Sequence, residues 1–153
     1  MFVCNHALAG AAIGLVLPAN PAAALALGVA SHLALDAVPH WGLEIPKDHP
    51  DRKAAFFKVA KKDGCLCCAL IGGILLATPG PRRISTAAGI FGALLPDLEH
   101  PIVHFTGKTI FPAWFRRFHA AIQRESPERL GRELRVGAVG ALTLAGLILF
   151  LRR

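Results

Sequence analysis

Five apolar runs, each stopped by proline, glycine or a cluster of charge, leave this chain few ways to fold. They cover Ala7 to Leu17, Ala22 to Val38, Cys65 to Thr78, Ile84 to Leu95 and Val136 to Leu151. Pro18-Ala-Asn-Pro21 joins the first two as an antiparallel helical hairpin, because proline ends a helix and the turn carries no charge. Pro79-Gly-Pro81, followed by Arg82-Arg83, joins the third and fourth in the same way. Two polar segments separate the hairpins and the last run. Residues 40–63 read as a loop followed by a short amphipathic helix, with Phe56, Phe57 and Val59 set among lysines, lying on a surface. Residues 99–135 read as a loop and a helix around Trp114 to Glu125.

Residues 1–153 form one domain by length, and 54% of them are hydrophobic, well above the roughly 45–50% of a soluble domain. Mean hydropathy is +0.48. The expected fold is therefore an all-α polytopic membrane bundle of about five short helices, with one or two amphipathic helices on its surface. Each run is shorter than the roughly 20 residues that a bilayer core of about 30 Å requires, so flanking residues or local thinning must supply the remainder. Glycines within the runs, such as Gly10, Gly14, Gly28, Gly89 and Gly92, suit the close helix contacts found in lipid. The N-terminus lacks the basic segment of a cleavable signal peptide. The net charge of +7 is not accompanied by a nucleic-acid motif or by interleaved stacking aromatics, which argues against nucleic acid and for anionic lipid head groups.

If all five runs cross, residues 40–63 and 99–135 lie on one side of the membrane, with thirteen of the seventeen basic residues. Lys47, Arg52, Lys53, Lys58, Lys61 and Lys62 stand in the first segment, and Lys108 and six arginines in the second. Arg82, Arg83, Arg152 and Arg153 lie opposite. By the positive-inside tendency the richer side is cytoplasmic, in a multi-pass protein.

That assignment also gathers the ionisable residues that interrupt the apolar runs. His32 and Asp36 lie four apart on one helix face, just before Pro39 ends the helix beside His40 and Trp41. His6 opens the first helix, Asp63 the third, and Asp97 with His100 closes the fourth. His119 shares a helix face with Ile122 and Gln123. Such residues at membrane depth are costly and face an interior site or one another. His6, His32, Asp36, Asp97, His100 and His119 are the candidate ligands of a divalent ion, zinc by choice of donors, and Asp36, Asp97 and Asp63 are the candidate catalytic carboxylates. Each has a plainer role open to it. Asp63 and Asp97 suit helix caps, and His32 with Asp36 suits a pair that locks two helices together. His40 suits an interfacial anchor, and His104 and His49 are weaker candidates. Cys65, Cys67 and Cys68 form a C-x-C-C pattern without a second cysteine pair to complete four ligands, so with Cys4 they read as small hydrophobes in a reducing compartment. No P-loop or nucleophile elbow is present.

N-H-A-L-A-G at 5–10, S-H-L-A-L-D-A-V-P-H-W at 31–41, the Asp63 helix start, L-L-P-D-L-E-H at 94–100 and R-F-H-A-A-I-Q at 117–123 together resemble a broad group of bacterial inner-membrane-associated metal-dependent hydrolases. The resemblance implies a small all-α membrane protein with a site lined by His and Asp. Where some members carry H-R-G-x-T-H-S after L-P-D, this chain has His104-Phe-Thr-Gly-Lys108. The expectation is a hydrolase of phosphoester or lipid-linked substrates with its site on the cytoplasmic side. Its rival is a non-enzymatic membrane protein whose His/Asp cluster is structural and whose basic face docks a protein partner or a second copy.

Overall fold

The computed structural model describes residues 1–43, 45–46 and 48–153, apart from the side chains at 52 and 53. The charges assigned to Glu44 and Lys47, and the side chains of Arg52 and Lys53, thus lie outside the described residues. Those described form seven α-helices and no strand, with one isolated bridge between His40 and Glu125. α1 is Val3–Val16, α2 Pro21–Ala37, α3 Arg52–Ala77 and α4 Gly80–Leu94. α5 is Glu99–Thr106, α6 Ala113–Ile122 and α7 Leu130–Leu151.

The turns follow from local chemistry. Asn20 caps α2, its side chain accepting a hydrogen bond from Ala23 N at 2.9 Å, with Pro21 in the first turn where its missing N–H is no loss. α4 likewise starts with Pro81 in its first turn, four residues before the apolar run. α3 differs more from expectation. The polar segment and the third apolar run are one 26-residue helix, because nothing between Lys62 and Cys65 breaks it; the C-x-C-C cysteines sit within that helix. α7 begins at Leu130, ahead of Val136. α5 was not expected at all. It continues directly from a 3-10 turn at Leu95–Leu98 and ends at Gly107, whose φ of 69° is the left-handed cap that glycine adopts easily.

α1 is the enclosed helix, packing against α2, α3, α4 and α7. Its closest partner is α4, and the contact depends on absent side chains. A Cβ at Gly10 would strike the carbonyl of Gly89, and one at Gly14 the backbone of Ser85 and Thr86. α2 crosses the other side of α4 in the same manner, at Gly28 and Gly92. Small residues at these positions let the helix backbones approach closely.

The bundle has two chemically different ends. At one, Arg82 Nη1 donates to the Leu15 carbonyl at 2.6 Å, Arg83 to the Thr78 carbonyl at 3.3 Å and Arg152 to the Leu76 carbonyl at 3.4 Å. These arginines satisfy carbonyls left open where helices stop, with favourable charge for a helix C-terminus. At the other end the N-terminus of α1 meets the C-termini of α2 and α4. Carboxylates complete it: Asp63 accepts from Val3 N at 2.7 Å, and the buried Glu133 accepts from Phe2 N at 3.0 Å and Asn5 Nδ2 at 2.8 Å.

For crossing a bilayer, one segment among the described residues, Pro127–Leu151, is both long and apolar enough, and α1 and α2 are shorter apolar helices. Five full spans are not what the helix lengths provide. α1, at 14 residues, rises only about 21 Å.

Candidate metal centre

Asp36, the last acidic residue of α2, sits at the centre of the carboxylate end with its side chain only 2% exposed. Three imidazoles surround it. His32 Nε2 lies 3.1 Å from Oδ2 and His119 Nε2 2.9 Å from the same oxygen, while His6 Nε2 lies 3.3 Å from Oδ1. His32 reaches Asp36 along its own helix, as the four-residue spacing required. His6 is placed by the first turns of α1 and stacks on His32 with ring centroids 4.0 Å apart.

His119 arrives from much further along the chain. The stretch after α6 is zipped onto the end of α2: Arg124 N donates to the Asp36 carbonyl at 3.2 Å, His40 N to the Arg124 carbonyl at 3.1 Å, and Ser126 N to the His40 carbonyl at 2.9 Å. These bonds satisfy backbone groups where α2 stops and lay α6 across the site. Gln123, one turn beyond His119, comes within 3.5 Å of Asp36 Oδ2 and 3.4 Å of His119 Nε2.

Asp97 closes the set from the 3-10 turn, its Oδ1 3.7 Å from His32 Nε2 and 3.9 Å from His119 Nε2. Two overlapping groups of donors result, His6 with His32 and Asp36, and His32 with Asp97 and His119. Their spacing suits an ion. With zinc bonds of about 2.0–2.1 Å, the ligand atoms of a tetrahedral site stand about 3.3 Å apart, and the second group spans 3.0 to 3.9 Å.

The tautomer of His32 supports the same fit. Its Nδ1 stands 2.7 Å from the Ala93 carbonyl, an acceptor, so Nδ1 carries a proton and Nε2 is the nitrogen that faces the cluster and would bind an ion. Nε2 can serve one ion, so the two groups cannot both use it. His6 is the second sign. It is 1% exposed, and among the described residues neither ring nitrogen has a hydrogen-bond partner, since the 3.3 Å approach to Asp36 is not aligned as one. A buried, unpartnered imidazole costs free energy that a bound cation would offset.

The other expected site residues lie elsewhere. Asp63, expected as a catalytic carboxylate, spends both oxygens on α1, Oδ2 on Val3 N and Oδ1 on Cys4 Sγ at 3.1 Å. His100, expected as a ligand, is 65% exposed; among the described residues its close carboxylate is Asp97, at 3.9 Å, and it lines the outer cleft. His40 is buried, with Nδ1 donating to the Val38 carbonyl. All four cysteines are free thiols; Cys4 and Cys67 are buried in the core and Cys65 and Cys68 exposed. Glu133 and Gln123 are the polar residues that sequence reasoning did not place at this end. Only Gln123 carried a signal, its spacing of four from His119.

The cluster is sealed on one side and open on the other. His6, His32 and Asp36 are shut in, whereas Asp97 keeps 23% exposure and His119 forms part of the wall of a cleft of about 620 Å³. Comparison of the chain with protein-family models, with curated proteins and with solved structures finds no match.

Proposed function

We propose that this chain is a membrane-embedded, metal-dependent hydrolase of phosphoester or lipid-linked substrates, in keeping with its resemblance to bacterial inner-membrane hydrolases. The observation that carries the reading is the pairing of His32 Nε2 with His119 Nε2 at 3.0 Å, where the buried His32 meets the residues that border the cleft, His119 and the part-exposed Asp97. A purely structural ion needs no such opening. His32, His119 and Asp97 would hold a divalent ion, zinc by donor type, and Asp36 would orient both imidazoles. A divalent ion held by these residues would supply a water with its pKa lowered to about 7 and a Lewis acid for a phosphoryl oxygen. Asp97 turns Oδ1 to the imidazoles and keeps its second oxygen to accept a proton. His6 faces the other oxygen of Asp36 and belongs to the alternative group, on the buried side.

The membrane part of the proposal rests on the outer surface. Large apolar side chains stand exposed on α1, α2, α3, α4 and α7, among them Val16, Leu27, Leu66, Leu76, Ile84, Leu142 and Phe150. A multi-pass arrangement in a cytoplasmic membrane, with the cluster at the basic, head-group side, covers them with acyl chains and sets the lysines and arginines against anionic lipid.

One observation favours a second reading. His119 Nε2 is also close enough, at 2.9 Å, to donate to Asp36 Oδ2, which would make the cluster a hydrogen-bonded lock in a non-enzymatic protein. Metal content and turnover separate the two. Purified protein is expected to bind zinc, to hydrolyse at least one of a panel of phosphoesters, and to lose that activity with a chelator and regain it with zinc. Gln123→Ala, altering an outer contact, should weaken zinc binding about 10-fold, and His32→Ala by more than about 100-fold. Full zinc retention in His32→Ala removes that residue as a ligand, failure of the parent protein to bind zinc favours the lock, and zinc-loaded protein without turnover favours a structural ion.

A further inference from the structure

The cleft that opens onto His119 is walled by unlike halves. One half is aromatic: Phe111 and Phe115 pack with ring centroids 4.8 Å apart, and Phe56 faces the cleft from the N-terminal extension of α3. The other half is polar, with Arg116, His100, Gln123 and Glu125 along it, Gln123 beside Asp36. Glu99, which also lines the cleft, is already committed to structure. Its Oε1 accepts from Ile110 N and Phe111 N, both at 3.1 Å, and so holds the aromatic wall in place. Its Oε2 lies 4.0 Å from Arg116 Nε, which steadies the guanidinium while leaving that side chain 43% exposed. The outer face of the same elements carries Trp114 at 69% and Phe105 at 81% exposure, beside Arg117 and Lys108. Aromatic rings flanked by cations are what the interfacial layer of an anionic bilayer accommodates.

From these features we infer that the cleft is a subsite for a phosphate amphiphile drawn from the membrane, its anionic head held by Arg116 next to the metal cluster and its apolar chain lying along Phe56, Phe111 and Phe115. The inference rests on the hydrolase reading for its choice of head group, and it adds the recognition residues. Arg116 is the one guanidinium among the cleft's described lining residues; its Nε faces Glu99, and a guanidinium binds phosphate oxygens in pairs, while the aromatic wall takes the first carbons of the chain. A volume of about 620 Å³ accommodates a head group with a short length of chain rather than a whole lipid, so the remainder stays in the bilayer.

Calorimetric titration of the detergent-solubilised full chain with n-hexyl phosphate, inorganic phosphate and n-hexyl glucoside tests this, in parallel samples with zinc and with chelator. Hexyl phosphate should bind about 10-fold or more tighter than inorganic phosphate, and the neutral glucoside should not register. Arg116→Gln should weaken both phosphates about 10-fold, and Phe56→Ala should remove about 5-fold from hexyl phosphate alone. Both substituted side chains are exposed, so the fold tolerates the changes. Equal affinity for the two phosphates, or unchanged binding in Arg116→Gln, overturns the subsite even where zinc binds normally. Conversely, Arg116-dependent binding of hexyl phosphate by protein that takes up no zinc keeps the subsite and overturns the metal reading.

Discussion

His6 carries the least comfortable chemistry in the molecule. Its ring is stacked flat on His32, 1% exposed, with both nitrogens lacking partners among the described residues. Replacing an unsatisfied buried polar ring by an apolar ring of similar size removes a penalty of about 1–3 kcal/mol. His6→Phe should therefore raise the melting temperature of metal-free protein by a few degrees, at about 2–4 °C per kcal/mol for a chain of this size. In zinc-loaded protein the rise should persist, because the ion is held by His32, His119 and Asp97; a fall there moves the ion to His6 and Asp36. Thermal unfolding with and without chelator reads both states, and a fall in the metal-free protein means that the imidazole is satisfied as it stands. His32 was legible from its spacing to Asp36, but its tautomer was not. The Ala93 carbonyl that holds Nδ1 has no signature in sequence, since any residue there offers the same oxygen.

Helices bring these side chains together by how they end. α1 starts without a capping side chain of its own and borrows Asp63 from α3 and Glu133 from α7, which ties three helices at the point where His6 enters the cluster. Asp63→Asn keeps an acceptor but removes the charge facing an N-terminus, and should cost about 1 kcal/mol. Zinc affinity should stay within about 3-fold of the parent, far from the losses of 10-fold or more that follow damage to a metal's surroundings. Equilibrium unfolding and zinc competition check the two halves; a large fall in affinity would return Asp63 to the site. At this scale the two hairpins were readable, because proline and glycine punctuate them and the apolar runs are long. α3 was not read as one helix, since the change from polar to apolar composition at residue 64 looks like a boundary although the backbone continues through it. α5 was missed because an eight-residue helix with three histidine or acidic residues presents no apolar periodicity.

Taken whole, the molecule sorts its charge by end. The arginines at 82, 83 and 152 close helix C-termini at one end, and the His/Asp cluster occupies the other. If the helices cross in the proposed sense, the end bearing Arg153 faces away from the cytoplasm. In spheroplasts of a strain expressing the chain with Cys65 and Cys68 changed to Ser, Arg153→Cys should react with a membrane-impermeant thiol reagent from outside. Lys61→Cys should react only after lysis. The reverse labelling pattern inverts the topology, and labelling of both sites in intact cells removes it.

Sequence by itself determined what is local: where the chain turns, that its apolar runs are helical, and that His32 and Asp36 share a face. Each follows from neighbours a few residues apart, for which helical geometry is fixed in advance. Tertiary structure decided the rest. Which imidazoles meet Asp36 depends on how closely α4 approaches α1 and α2 at Gly10, Gly28 and Gly89, and on the backbone bonds that fold residues 123–126 onto residues 36–40. The physical reason is that a carboxylate selects its distant partners only once packing has brought them within about 3–4 Å, where its charge is no longer screened by water.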